Sequence, residues 1–531
     1  MVRFNVDSLR WAKNSIISVT NNDLFPRPFE TSVINSEWDE IERKLLQYNI
    51  EMDGKYLDNE KKYYWSSGRK SLVPKGHMSF RFATQLDPID SIVLTSLIHQ
   101  YGDKLERSRI QVQDQKVFSN RFCPNQGFLF DAASNWLGFW KRSLEKARNI
   151  SGFVLKCDIS DFYNQIYHHR LESELDKSGI PREITKTIID LMNTLTDGVS
   201  RGIPVGPIPV HLLAEISLNS VDKSLEGHFY DHCRYMDDFH IFCRSREDAQ
   251  IALFDLNKLL DVNGRLTLQQ SKVEIQDSED FIEFAEKKIA EANVDETESE
   301  IIKIILKHSS GDPYGIIPQT QLDNAEKEHF TEEEMTALLR KCTELDDPNY
   351  SKIRWILRRF SQIGAPGAIP FLLDNLQDLT PALADVALYL LSTEEYYEGD
   401  WDDIGKQLID ALEIPFIKHS EYLQTVLLHL FSKNPDLNHL ETLLQSFDRS
   451  QPMVKRKIIL AAVKADAYHW IQERKGEINR YETWIRRAII LGGSTLPKDE
   501  REYWMNRIIH NPSSSLLEKI VAKWVKNENL L

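Results

Sequence analysis

The adjacent pair Asp237-Asp238 lies inside His232-Cys-Arg-Tyr-Met-Asp-Asp-Phe-His-Ile-Phe-Cys243, and no other stretch narrows the possible folds so far. The flanks have the β-branched and aromatic content of strands, and the acidic pair falls where a tight turn belongs. Two neighbouring carboxylates at a hairpin tip repel each other and favour nothing structural. A divalent cation relieves that repulsion: Mg²⁺ takes oxygen ligands, usually one or two carboxylates plus phosphate oxygens. Such a site needs a further carboxylate from elsewhere in the chain. Phe153-Val-Leu-Lys-Cys-Asp158 reads as a strand that ends at Asp158 and turns into a helix. A strand end can aim Asp158 at the site of Asp237, and together they can hold two metal ions that clamp the attacking and leaving oxygens of a phosphoryl transfer. Asp161 reads as the N-cap of the following helix.

Between these segments runs Arg201-Gly202-Ile-Pro204-Val205-Gly206-Pro207, leading into the apolar stretch Val210-His-Leu-Leu-Ala-Glu215-Ile. Glycine lets backbone approach a ligand closely and proline stiffens the approach. In order and spacing the three segments resemble motifs A, B and C of reverse transcriptases: an aspartate followed five positions later by an aromatic (Asp158, Tyr163), a Gly/Pro turn, and a Tyr-Met-Asp-Asp hairpin. Pro-Val-Gly-Pro before Leu-Leu-Ala-Glu-Ile, and Phe118-Ser119-Asn120-Arg121-Phe122 upstream, resemble the bacterial defence reverse transcriptases of the abortive-infection and unknown-group class.

That resemblance implies site roles. Asp158 and Asp237 would be catalytic metal ligands, with Asp238 as a supporting carboxylate. Tyr163 would pack under the nucleotide sugar and exclude a 2′-hydroxyl, with Pro204 and Gly206 supporting the nucleotide. Arg121, in the fingers, is either a triphosphate contact, suited by its bidentate fork, or a surface strand arginine. Lys272, in Gln269-Gln-Ser-Lys272-Val, either neutralises or protonates the leaving pyrophosphate or is simply solvated. The sequence departs from the family at Val205, where glutamine is usual, which removes a polar contact near the template.

At 531 residues the chain is long enough for two or three domains. No apolar run reaches membrane-spanning length and the first residues lack an apolar signal core, so a soluble cytoplasmic protein is expected. Five scattered cysteines without paired or metal spacing agree with a reducing compartment. A net charge of −16 disfavours a nucleic-acid surface spread over the whole chain. From Lys104 to Arg148, however, nine basic residues face four acidic ones, and from Glu274 to Glu300 eleven acidic residues face two lysines. A phosphate-binding surface is therefore expected before the catalytic segments and not after them.

The expected fold class is α+β: a reverse-transcriptase palm and fingers followed by an all-α, HEAT-like helical repeat domain. The expected divisions are 1–150 for an N-terminal extension and fingers, 151–280 for the palm, 281–330 for acidic linker and helices, and 331–531 for the helical repeats. Helices are expected over Arg182–Leu195 and Arg246–Val262, a hairpin through the turn Asn263-Gly264, and a solvated linker over Val294–Glu300. In 331–531, apolar residues at helical spacing recur in segments broken by Pro, Asp, Asn or Gly, without β alternation. Lys61-Lys-Tyr-Tyr-Trp65 and Arg69–Lys75 mix cations with aromatics, either to stack bases or as an exposed strand edge.

Three readings of function follow. The first is a DNA polymerase of reverse-transcriptase type in antiphage defence, adding dNTPs with Mg²⁺, or Mn²⁺ in its place. Val205 suggests template-independent synthesis primed by a protein tyrosine, with Tyr56, Tyr63 or Tyr64 as candidates and the DNA product attached covalently. The second is a templated enzyme using a partner non-coding RNA. The third is an inactive polymerase-fold scaffold. The resemblance also implies a homo-oligomer and no membrane partner.

Overall fold

The computed structural model describes residues 4–18, 24–49, 61–125, 127–292, 296–309, 316–345 and 348–527. Among them helices and strands are mixed, and every strand lies before residue 278. The chain forms two compact units: residues 1–24, 38–70 and 83–293 make one, and residues 25–37, 71–82 and 294–531 the other.

The first unit is built on a four-stranded antiparallel sheet. Phe153–Asp158 (β1), Asp231–Tyr235 (β2), Asp238–Cys243 (β3) and Glu274–Asp277 (β4) stand in the order β4-β1-β3-β2. Side chains alternate between the two faces of a sheet. Val154, Cys233 and Phe242 pack with Phe139, Trp140 and Ala147 of the helix Trp136–Asn149 and with Phe281 and Ala285 of the helix Ser278–Ala292. Burying each large apolar side chain contributes roughly 1.5–3 kcal/mol, so this face fixes β1 and β3 firmly. His240 lies in the same core, stacked 4.5 Å from the Phe139 ring, with Nδ1 2.9 Å from Ser143 Oγ. Burial, and then Lys156, push its pKa down to about 3, which makes it a neutral core histidine.

Leu155 and Ile241 alternate to the other face and are also fully buried. The helix Arg246–Gly264 packs on β1 and β3, burying Ala249, Ala252, Leu256 and Leu260 at helical spacing. Its end corrects the expected hairpin. Asn263 and Gly264 are the last helical residues, and Arg265, at φ +54°, supplies the left-handed cap. The apolar stripe through Leu256 and Leu260 outweighs the local turn preference. A Cβ at Gly264 would stand 2.9 Å from the Leu266 side chain, which would have to shift. The expected helix Arg182–Leu195 is present with those bounds.

The second unit is helical apart from the segment 71–82. Tyr350–Ile363, Leu383–Ser392, Glu421–Phe431, Pro452–Lys464, Thr483–Gly492 and Leu516–Asn527 pack each on the next. Further helices, among them Trp401–Leu412 and Lys498–His510, lie between them in sequence. The short helix Glu30–Ser36 belongs to this unit: the buried Glu30 lies 2.6 Å from Arg456 and 2.9 Å from Arg487. The linker expected over Val294–Glu300 is also corrected. Residues 293–295 fall outside the described residues, but Glu296–His308 is a helix, and Glu298 is buried and paired with Lys352 at 2.5 Å. Pairing removes the repulsion that makes an acidic run look solvated.

Candidate active site

The acidic hairpin forms where its pattern places it. β2 ends at Tyr235 and β3 begins at Asp238, and these two residues pair across the ladder. Met236 and Asp237 form the two-residue turn, with Met236 at φ +53°. On the other side of β3, the register sets Asp238 opposite Asp158. The Ile159 N–H donates to the Asp237 carbonyl at 3.1 Å, tying the end of β1 to the tip of the hairpin. Asp158 and Asp238 therefore face each other on adjacent strands, with Asp237 in the turn beside them.

Asp238 is pushed up to about 7 by burial, then by Asp237 and Asp158, with Lys272 opposing. Lys272 Nζ donates to Asp158 Oδ2 at 2.7 Å. It sits in a short 3₁₀ turn, Gln270–Lys272. The Gln269 N–H donates to the Asp158 carbonyl at 2.8 Å, so the lysine is delivered to the strand end by backbone bonding. Among the described residues, no group of three or more His, Cys, Asp or Glu side chains already stands in metal-holding geometry. The donors are all carboxylate oxygens, which fit a hard cation such as Mg²⁺ or Mn²⁺.

Tyr163 follows in the short helix Phe162–Gln165, its hydroxyl 2.6 Å from His211 Nδ1. His211, one residue into the helix Val210–Ser217, was not singled out by the sequence, because the pair forms across 48 positions. The Gly/Pro loop is held against this segment. Ile203 N–H donates to the Tyr163 carbonyl at 3.0 Å, and Gly202 N–H to the Ile166 carbonyl at 2.8 Å. Gly206, at φ +124°, adopts a backbone that other residues rarely reach. Pro204 and Gly206 are both buried, and the Val205 carbonyl accepts from Thr84 N–H at 2.7 Å.

Two expectations are corrected. Asp161 stands at the N-cap position but in the left-handed region, at φ +46°. Its carboxylate accepts from Asn164 Nδ2 at 2.7 Å instead of capping backbone N–H groups. Arg121 is not the surface arginine of the alternative reading. It is 3% exposed, 2.5 Å from Glu106 Oε1, and donates to the Ile110 carbonyl at 2.8 Å. Burial and then the neighbouring Arg109 push its pKa down to about 10.

Arg121 belongs to a buried ionic network that sequence reasoning missed. Arg109 pairs with Glu106 at 3.0 Å and Glu215 at 2.7 Å. Arg234 donates to both oxygens of Asp222, at 2.7 and 2.6 Å, and to Glu215 at 2.9 Å. Burial alone would raise the Glu215 carboxyl, but Arg234 and Arg109 hold it below its ordinary value. Other members of the basic stretch are also engaged: Lys116 with Glu226, Lys146 with Asp231, and Arg148 with Glu286. Much of the expected phosphate-binding charge is thus neutralised within the protein.

Of the candidate tyrosines, Tyr56 lies outside the described residues. Tyr63 donates to Asp90 at 2.5 Å and packs edge-on against Phe4, Tyr48 and Trp65. Tyr64 is 72% exposed.

Residues 93–289, over a third of the chain, match the model of the family described as reverse transcriptase (RNA-dependent DNA polymerase). No curated protein matches the sequence. Among solved structures, a telomerase from Candida albicans in complex with a TWJ fragment of telomeric RNA is similar at 10% identity and a TM-score of 0.31, covering 93% of this chain and 71% of that chain. The sheet and its three carboxylates thus lie in a reverse-transcriptase-type polymerase domain, the domain of a nucleotidyltransferase. No described helix is long and apolar enough to cross a membrane.

Proposed function

We propose that the chain is a DNA polymerase that extends a hydroxyl with deoxynucleotides at the site formed by Asp158, Asp237 and Asp238. The observation that carries this reading is the pairing of Asp158 with Asp238 across adjacent strands, with Asp237 in the turn beside them, inside the matched domain. Two Mg²⁺ ions held there would stabilise charge on the attacking and leaving oxygens. Asp158 and Asp237 would be the direct ligands and Asp238 the supporting one. Lys272 would move from Asp158 toward the phosphates. Tyr163, held by His211, would sit under the sugar, and Pro204 and Gly206 would keep the backbone close to the nucleotide.

The finer reading is synthesis without a template, primed by a tyrosine of the protein, in cytoplasmic antiphage defence and within a homo-oligomer. Its support is Val205 in place of glutamine and the resemblance of residues 201–216 to the defence class. Of the three candidate primers, exposure favours Tyr64 over Tyr63. The successive packing of helices from Tyr350 to Asn527 supports a HEAT-like solenoid acting as an assembly surface. A second reading, synthesis templated by a non-coding RNA, is favoured by the family's description as RNA-dependent.

The test is incubation of the purified full-length protein with labelled dNTPs and Mg²⁺, with and without added RNA, followed by protease or nuclease digestion. DNA that stays on the protein until proteolysis supports the protein-primed reading. Product only with RNA supports the templated one. No product under either condition would overturn the polymerase reading in favour of a scaffold.

A further inference from the structure

The turn that carries Asp237 has an unusual backbone. Met236 takes φ +53°, a region that glycine, asparagine and aspartate visit more readily than a long apolar side chain. Residues in such a conformation persist where the surroundings over-determine them. Both backbone polar groups of Met236 are held from behind. Its N–H donates to Ser119 Oγ at 2.9 Å, and its carbonyl accepts from Arg234 Nη1 at 2.8 Å.

Neither holder is free to drift. Ser119 is fully buried, and its hydroxyl donates onward to Glu215 Oε1 at 2.5 Å. Glu215 also accepts from Arg109 and Arg234. The segment carrying Ser119 is laid along β2 by two backbone bonds, Arg234 N–H to the Lys116 carbonyl at 2.7 Å and Phe118 N–H to the Arg234 carbonyl at 3.0 Å. The chain of contacts runs from Glu215 through Ser119 to the Met236 amide, and one peptide further on is Asp237.

We propose that Ser119, oriented by Glu215, is a positioning residue that holds the Met236 turn in its left-handed form and so sets where Asp237 and Asp238 point. Its part in catalysis rests on the function proposed above; its part in holding the turn does not. A hydroxyl is suited to the task, since it accepts from one side while donating to the other. Alanine at 119 would keep the packing and remove both bonds.

The experiment compares Ser119→Ala, Met236→Gly and the double variant in the full-length chain. Hydrogen exchange of the peptide spanning residues 232–240 is read in metal-free protein, alongside Tm. Ser119→Ala is expected to speed exchange at the turn by about ten-fold or more, with Tm lower by only a few degrees for the buried bonds lost at Glu215 and the Met236 N–H. In the polymerase assay it is expected to raise the Mg²⁺ concentration for half-maximal rate by roughly 10–100-fold, as loss of an outer support of a metal site does. Glycine reaches φ > 0 without strain, so Ser119→Ala is expected to cost less in the Met236→Gly background. Exchange and Mg²⁺ dependence unchanged by Ser119→Ala, or equal costs in both backgrounds, would overturn the proposal. An inactive wild type with faster turn exchange in Ser119→Ala would sink the polymerase reading and leave the positioning role standing.

Discussion

Two clusters of charged side chains in the same unit are handled in opposite ways. Behind the hairpin, Glu106, Glu215 and Asp222 meet Arg109, Arg121 and Arg234, three carboxylates against three guanidinium groups. At the tip of the hairpin, Lys272 pairs with Asp158, and Asp237 and Asp158 both act on the buried Asp238. The first cluster is balanced, and Glu215 stays below its ordinary pKa despite complete burial. In the second, Asp238 is pushed up to about 7. Burial by itself therefore does not mark a functional carboxylate. A carboxylate buried without enough opposite charge is the candidate for a functional one.

The contrast breaks most directly on substitution. Asp237→Asn is expected to lower nucleotide incorporation by at least about 10³-fold while Tm holds or rises, since a repulsive charge has gone. Glu215→Gln should act the other way, costing about 3–5 kcal/mol in urea unfolding because Arg109 and Arg234 lose a buried partner. If both variants lost activity with unchanged unfolding, the two clusters would not differ in kind.

The pH dependence sharpens the comparison. Asp238 has a folded pKa of about 7, above the roughly 3.9 of an unfolded aspartate. Between those values the folded state binds more protons, so this group's contribution to stability falls as pH rises from about 4 through 7. In EDTA, Asp238→Asn is expected to raise Tm relative to wild type at pH 8 and to make little difference at pH 4. The smallest effect is expected from Lys272→Met. Its side chain is 60% exposed, and partly exposed pairs contribute about 0–1 kcal/mol, so Tm should fall by a degree or two.

The tip of the hairpin was readable in one dimension because its signal is local. Strand-forming flanks and an acidic pair define it within twelve residues, and Asp158 ends a strand by the same pattern. The matched domain agrees with the resemblance drawn from those segments. What stayed hidden was long-range. Ser119 and Glu215 are 96 positions apart, and Tyr163 and His211 are 48 apart. Arg121 could be read as a surface arginine because sequence shows its charge and not Glu106 beside it. Asn263-Gly264 looked like a hairpin turn because sequence shows local preference and not the buried stripe that extends the helix. Glu298 looked solvated for want of Lys352.

The most direct measurement is Mn²⁺ binding to the full-length protein by electron paramagnetic resonance at pH 8, for wild type, Asp158→Asn and Asp237→Asn. If the carboxylates at the hairpin form the cation site, wild type binds and each substitution abolishes or sharply weakens binding, while Asp222→Asn, in the balanced cluster, leaves it intact in whatever fraction remains folded. Mn²⁺ binding that is absent from wild type, or unmoved by both substitutions at the hairpin, would contradict the distinction between the two clusters.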